Sequence, residues 1–190
     1  MIVSADIALS WLVEGNDAYI SSEKNHLGDI SLDKRLQTHH HGQNPYAVVV
    51  TCSDSRVIPE SIFMVGIGDI FVVRLAGNVV ADFGLGSIEY AIDHLGCKLI
   101  VVMGHTMCGA IHSAIADSHS NYISSIIKEI QFAIKDEKDH TKAAKINVFN
   151  TMEKIKSSEI IQENMKNGLK IVGAMYHTHS GHVEFYNPKK

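Results

Sequence analysis

Two short stretches carry residue types suited to metal chemistry, Cys52-Ser53-Asp54-Ser55-Arg56 and Gly104-His105-Thr106-Met107-Cys108-Gly109. Thiolate sulfur and imidazole nitrogen are donors for a borderline-soft divalent ion, so Cys52, His105 and Cys108 together suit Zn²⁺. His105 and Cys108 are three residues apart at an expected helix start, a spacing that lets both face one metal. A cysteine near a helix N-terminus is also favoured as the thiolate, the form that binds metal. Asp54 and Arg56 are two apart and reach the same side of an extended chain, where carboxylate and guanidinium can pair. That pairing keeps Asp54 ionised, either held away from the cation or released to join it. The aspartate is therefore a gate on the fourth metal position.

The remaining cysteine sharpens the ligand set. Cys97 precedes an apolar segment that His105 follows, which puts the two on the order of 20 Å apart at about 3.3 Å per strand residue. Cys97 cannot close the site, and it reads as a small buried hydrophobe. Three protein ligands with an open fourth position is the pattern of catalytic zinc. Among the twelve histidines, His39, His40 and His41 read as solvated loop on the opposite rim, with His94 on that same side. His112, His177 and His179 lie nearer the metal motifs and are the better proton-relay candidates. Gly66-Ile67-Gly68 lacks a Lys-Ser/Thr partner and precedes a strand, so it is not a phosphate loop.

The elements that must position these residues follow from apolar patterning. Ala47–Thr51, Ile70–Arg74, Leu99–Met103 and Leu169–Tyr176 are short, β-branched and almost wholly apolar. Continuous apolar strands belong to a sheet covered on both faces, which is usually parallel. A last strand, His182–Phe185, follows Ser180-Gly181 and turns back antiparallel. Between the strands lie helical patterns at Pro59–Met64, Ser87–Leu95 and Cys108–Ala116, and a long amphipathic stretch runs from Tyr122 to Asn167. A first helix starts after Ser4 with Ile7, Ala8, Leu12 and Val13 as its stripe. The expected fold is α/β, with a mainly parallel central sheet of four strands, an antiparallel edge strand and flanking helices. Both metal motifs then follow parallel strands and meet at one rim, where open α/β sheets bind ligands.

Composition excludes other classes. The 190 residues suit a single domain, 1–190, with an N-terminal helical arm at about 4–40. A net charge of −4 with 20% charged residues gives no basic footprint for nucleic acid. No apolar run approaches the roughly 18 residues of a membrane span, and the N-terminus does not read as a signal peptide. A cytoplasmic setting is therefore expected, and in such a reducing compartment three cysteines, an odd and sparse set, argue against a disulfide framework and leave metal binding or reactivity open.

The two motifs resemble the zinc signatures of the β-class carbonic anhydrases, and the likeness runs nearly end to end. Ala8 to Asn16, Gly68-Asp69 through Asn78, Gly84 to Tyr90, and Ile171 through Phe185 are similar to family segments. The resemblance implies zinc held by Cys52, His105 and Cys108, with Asp54 and Arg56 as a catalytic dyad. In some members the aspartate is itself a zinc ligand, which makes Asp54 a metal residue in a closed, inactive form. The implied reaction is reversible hydration of carbon dioxide to bicarbonate and a proton by a zinc-bound hydroxide that the dyad orients. The implied assembly is a homodimer or a multiple of it. Alternatives are hydrolysis of carbon disulfide or carbonyl sulfide at the same site, or a non-catalytic zinc protein sensing bicarbonate. Many bacterial members carry Asp-Gln ahead of the Gly-x-Gly-Asp stretch; Met64 and Val65 stand there in this chain, which implies a drier substrate pocket.

Overall fold

The computed structural model describes residues 2–21, 28–118 and 120–186; residues 22–27 of the expected N-terminal arm lie outside the described residues. The elements run α1 Ala5–Ser21, α2 Leu32–His41, β1 Ala47–Thr51, α3 Pro59–Ile62, β2 Ile70–Arg74, α4 Asp82–Asp93, β3 Leu99–His105, α5 Gly109–Ile115, α6 Ile123–Ile134, α7 His140–Lys156, α8 Glu159–Lys166, β4 Lys170–Tyr176 and β5 Val183–Tyr186. Among these residues the strands form one sheet in the order β2-β1-β3-β4-β5. The first four are parallel and β5 pairs antiparallel with β4. This is the expected fold class.

Uniform burial explains the parallel pairing. Every residue of β1 and of β3 is buried, as in a sheet covered on both faces. Alternate residues feed different cores. Val49, Val101 and Val172 pack beneath α1 and α3, whereas Val48, Val50, Ile100 and Val102 meet α4, α7 and α8. A third apolar cluster, with Ile111, Ile127, Ile130 and Ala144, caps the C-terminal rim using α5, α6 and α7. The helix α7 crosses the sheet closely at Gly104, where an added Cβ would stand 2.7 Å from Val148 Cγ2. No helix among the described residues is long and apolar enough to cross a membrane.

Several local expectations need correction. The buried stripe of α1 is Ala5, Ala8, Leu12 and Asn16, while Ile7 and Val13 are exposed. His39, His40 and His41 are the last turn of α2 rather than loop. The stretch from Tyr122 to Asn167 is three helices, because Asp139 and Ser158 cap new starts through their side chains. Before the first of those caps, α6 ends at Lys135, whose φ of 52° is left-handed.

The strand order has a consequence for ligands. β2 lies to one side of β1 and β3 to the other, so the chain reverses its direction of travel across the sheet between β1 and β3. A crevice opens at such a switch point outside the carboxyl ends of the strands.

Candidate metal centre

That crevice holds the two motifs. Cys52 directly follows β1, and His105 is the last residue of β3. Cys108 is the N-cap of α5. The Sγ atoms of Cys52 and Cys108 and a ring nitrogen of His105 lie within 4.8 Å of one another, and all three residues are buried. His105 and Cys108 do not share a helix as their spacing suggested. They converge because Met107 takes a left-handed φ of 57° and folds the segment back between them. Cys97 lies apart, with its Sγ hydrogen-bonded to Pro45 O at 3.1 Å, and burial pushes its thiol up to about 12.

The donor set fits a zinc ion. His105 Nδ1 sits 2.9 Å from the Thr106 carbonyl, so it carries the proton and donates. Nε2 is then a lone pair, buried and without a hydrogen-bond partner among the described residues, which is costly unless something electrophilic is seated there. Tetrahedral zinc with bonds of about 2.0–2.3 Å holds its donors roughly 3.3–3.8 Å apart, a separation that falls inside the 4.8 Å bounding the observed cluster. A hydrogen bond from Cys108 lowers the Cys52 thiol, and the N–H groups of Asp54 and Gly77 add to the effect. Cys108 is correspondingly raised, first by that bond and then by burial. A doubly charged cation removes this mutual opposition and lets both sulfurs ionise.

Asp54 and Arg56 do pair, but through a turn rather than an extended chain. Val57 N–H donates to Asp54 O at 3.0 Å, and Arg56 N–H donates to Asp54 Oδ1 at 2.9 Å. The guanidinium adds two bonds, Nε to Oδ1 at 2.9 Å and Nη2 to Oδ2 at 2.7 Å. These hold the Asp54 carboxyl well below the usual carboxylate range, the Arg56 side chain first. Oδ2 also stands 3.9 Å from His105 Nε2, so the carboxylate borders the three donors while committed to Arg56. Arg56 Nη2 further donates to Met107 O at 3.0 Å, tying the pair to the second motif.

One residue of this framework escapes sequence reasoning. Arg74 donates from Nε to Cys52 O at 3.1 Å and from Nη2 to Asp54 O at 2.8 Å. The parallel register sets Arg74 beside Thr51, one residue before the first motif, and that register is the signal that could have found it. His112 is exposed and packs its ring 5.1 Å from His140. His177 stacks on His182 and lies 3.7 Å from Glu184. His179 is exposed. Val57 and Val65 are both core residues under α1 and α3.

Comparison with known proteins places these features. The family model described as carbonic anhydrase matches residues 47–183. Carbonic anhydrase 2 of Mycobacterium tuberculosis is 48% identical over 105 residues, which is 55% of this chain and 50% of that relative, so the chain spans about half the length of that relative. The carbonic anhydrase of Mycolicibacterium smegmatis is 33% identical over 185 residues, 91% of this chain and 89% of the relative. Among solved structures, the β-carbonic anhydrase CafA of Aspergillus fumigatus superposes with a TM-score of 0.73 at 26% identity, covering 82% of this chain and 81% of that one.

Proposed function

The chain belongs to the β-class carbonic anhydrase family, and on that premise we propose that it catalyses the reversible hydration of carbon dioxide to bicarbonate and a proton. The observation that carries this reading is the meeting of two cysteine sulfurs and an unpartnered histidine nitrogen within 4.8 Å in the switch-point crevice. Cys52, His105 and Cys108 would hold the metal, which we take to be zinc from the sulfur-rich donor set. Zinc bound there supplies Lewis acidity that turns water into a nucleophile near neutral pH.

The chain's own residues do the rest. Asp54, kept anionic by two guanidinium bonds and one backbone N–H, accepts the hydrogen bond of the nucleophile and aims its lone pair at carbon dioxide. Arg56 fixes the carboxylate and prevents its rotation toward the three donors. Arg74 anchors the backbone on both sides of Ser53, so the sulfur and the carboxylate keep a constant separation. Orientation of this kind is an established source of rate enhancement.

We further infer a homodimer, or a multiple of it. An apolar groove of about 380 Å³ runs along β2 past Phe83, whose side chain is 94% exposed. β2 is the outer strand, and uncovered edges of this kind invite pairing. The free state of Cys52, Cys97 and Cys108 accords with a cytoplasmic setting.

The test is stopped-flow carbon dioxide hydration across pH on protein of measured zinc content. Turnover that scales with zinc and rises toward alkaline pH is expected, since two thiolates leave a bound water less acidic than three imidazoles do. Zinc-loaded protein with no hydration activity at any pH overturns the reading. Parallel assays with carbonyl sulfide and carbon disulfide separate it from the hydrolase alternative.

A further inference from the structure

The helix α7 buries polar residues where an apolar helix would pack as well. Asn147 and Thr151 are one turn apart and are 0% and 2% exposed, in a helix otherwise burying Ala143, Ala144, Val148, Met152 and Ile155. Both reach one short 3₁₀ turn, Ala76–Asn78, some seventy residues earlier in the chain. Asn147 Nδ2 donates to Gly77 O at 2.7 Å, and Thr151 Oγ1 donates to Asn78 O at 3.2 Å.

That turn touches the metal centre from behind. Gly77 has a left-handed φ of 67°, and its N–H donates to Cys52 Sγ at 3.2 Å. An added Cβ at this position would meet Ile130 Cδ1 at 2.7 Å, so the peptide is pressed between α6 and the sulfur. The arrangement also leaves Asn78 Nδ2 and Asn147 Oδ1 buried with no partner among the described residues. A device serving stability alone would avoid unpartnered polar atoms in a core.

We propose that Asn147 and Thr151 are positioning residues for the Cys52 sulfur, acting through the Gly77 N–H that they hold in place. An N–H bonded to a thiolate withdraws charge from it, which sets how strongly that sulfur donates to a metal. Partners one step removed from a metal commonly govern affinity in this way. The inference rests on Cys52 being a metal ligand, as proposed above.

The test uses metal-free full-length protein titrated with zinc, and with cobalt(II), whose sulfur-to-cobalt charge-transfer band reports on the cysteine sulfurs. Asn147→Leu keeps the branched, four-heavy-atom shape of the side chain, although it is bulkier, and removes the donor to Gly77 O. It is expected to lose on the order of 10–100-fold in zinc affinity and to move the cobalt band to longer wavelength. Met152→Ala, on the same helix but facing the sheet, is expected to lower the melting temperature and leave band and affinity unmoved. A folded Asn147→Leu with the unaltered band and affinity overturns the proposal. So does an equal shift in Met152→Ala, which would make the role one of general packing. If Asn147→Leu does not fold, Thr151→Val decides by the same readings, with a smaller shift expected and no shift fatal. Cys52→Ser separates the two levels of inference: an undiminished band there refutes the ligand assignment itself, whereas a diminished one beside an unmoved Asn147→Leu refutes only the positioning role.

Discussion

On the proposed reading, Arg56 is the residue whose removal should separate holding a metal from using it. Its guanidinium contacts Asp54 and Met107 O and none of the three donors. Arg56→Ala should therefore retain zinc while turnover falls on the order of 10²-fold or more, as for loss of a preorganised electrostatic contact; stopped-flow assay beside metal analysis checks it. Asp54 makes a second, acid-side prediction. Its folded value is lowered from 3.8, so its charge contributes stability that is present above 3.8 and is lost as pH falls below 3.8 toward the lowered folded value. Asp54→Asn should consequently lose less stability than the parent between about pH 5 and pH 2, as read from urea midpoints. Cys52, His105 and Cys108 were legible because donor chemistry is written in residue type. Arg74, Asn147 and Thr151 were not, because their contacts depend on register and helix placement, and an arginine, an asparagine or a threonine serves many ordinary purposes.

At the scale of elements, legibility followed burial. The strands were readable because β1 and β3 are buried throughout and therefore apolar throughout. α2 falls within the helical arm expected at about 4–40 but was not read as an element of its own, because it buries none of its residues and its Leu32 and Leu36 are exposed. The breaks on either side of α7 were hidden because they are made by side-chain caps and a left-handed lysine, with neither proline nor glycine to mark them. The contact between α7 and β3 offers a direct test of packing. Gly104→Ala would press a methyl against Val148 and should cost about 1–3 kcal/mol, typical of overpacking. Denaturant unfolding measures it, and the loss should extend to zinc affinity because His105 is the next residue.

For the whole molecule, metal and fold are linked quantities. Zinc bound to the folded state but not the unfolded one, at about 100 times its Kd, should add about 2.7 kcal/mol. At roughly 2–4 °C per kcal/mol for a chain of this size, that is a rise of about 5–11 °C in Tm. Chelation should reverse it, and Cys52→Ser should show no rise. The sheet order that places β1 beside β3 gathers every donor and the Asp54–Arg56 pair into the chain up to residue 108. The helices α6 and α7 that roof them begin only at Ile123 and His140. Synthesis proceeds from the N-terminus, so on the ribosome the chelating atoms emerge well before their shelter. A growing chain thus passes through a stage in which both thiols have been made while the helices that cover them have not, and α7 is the piece whose arrival allows that cover to close.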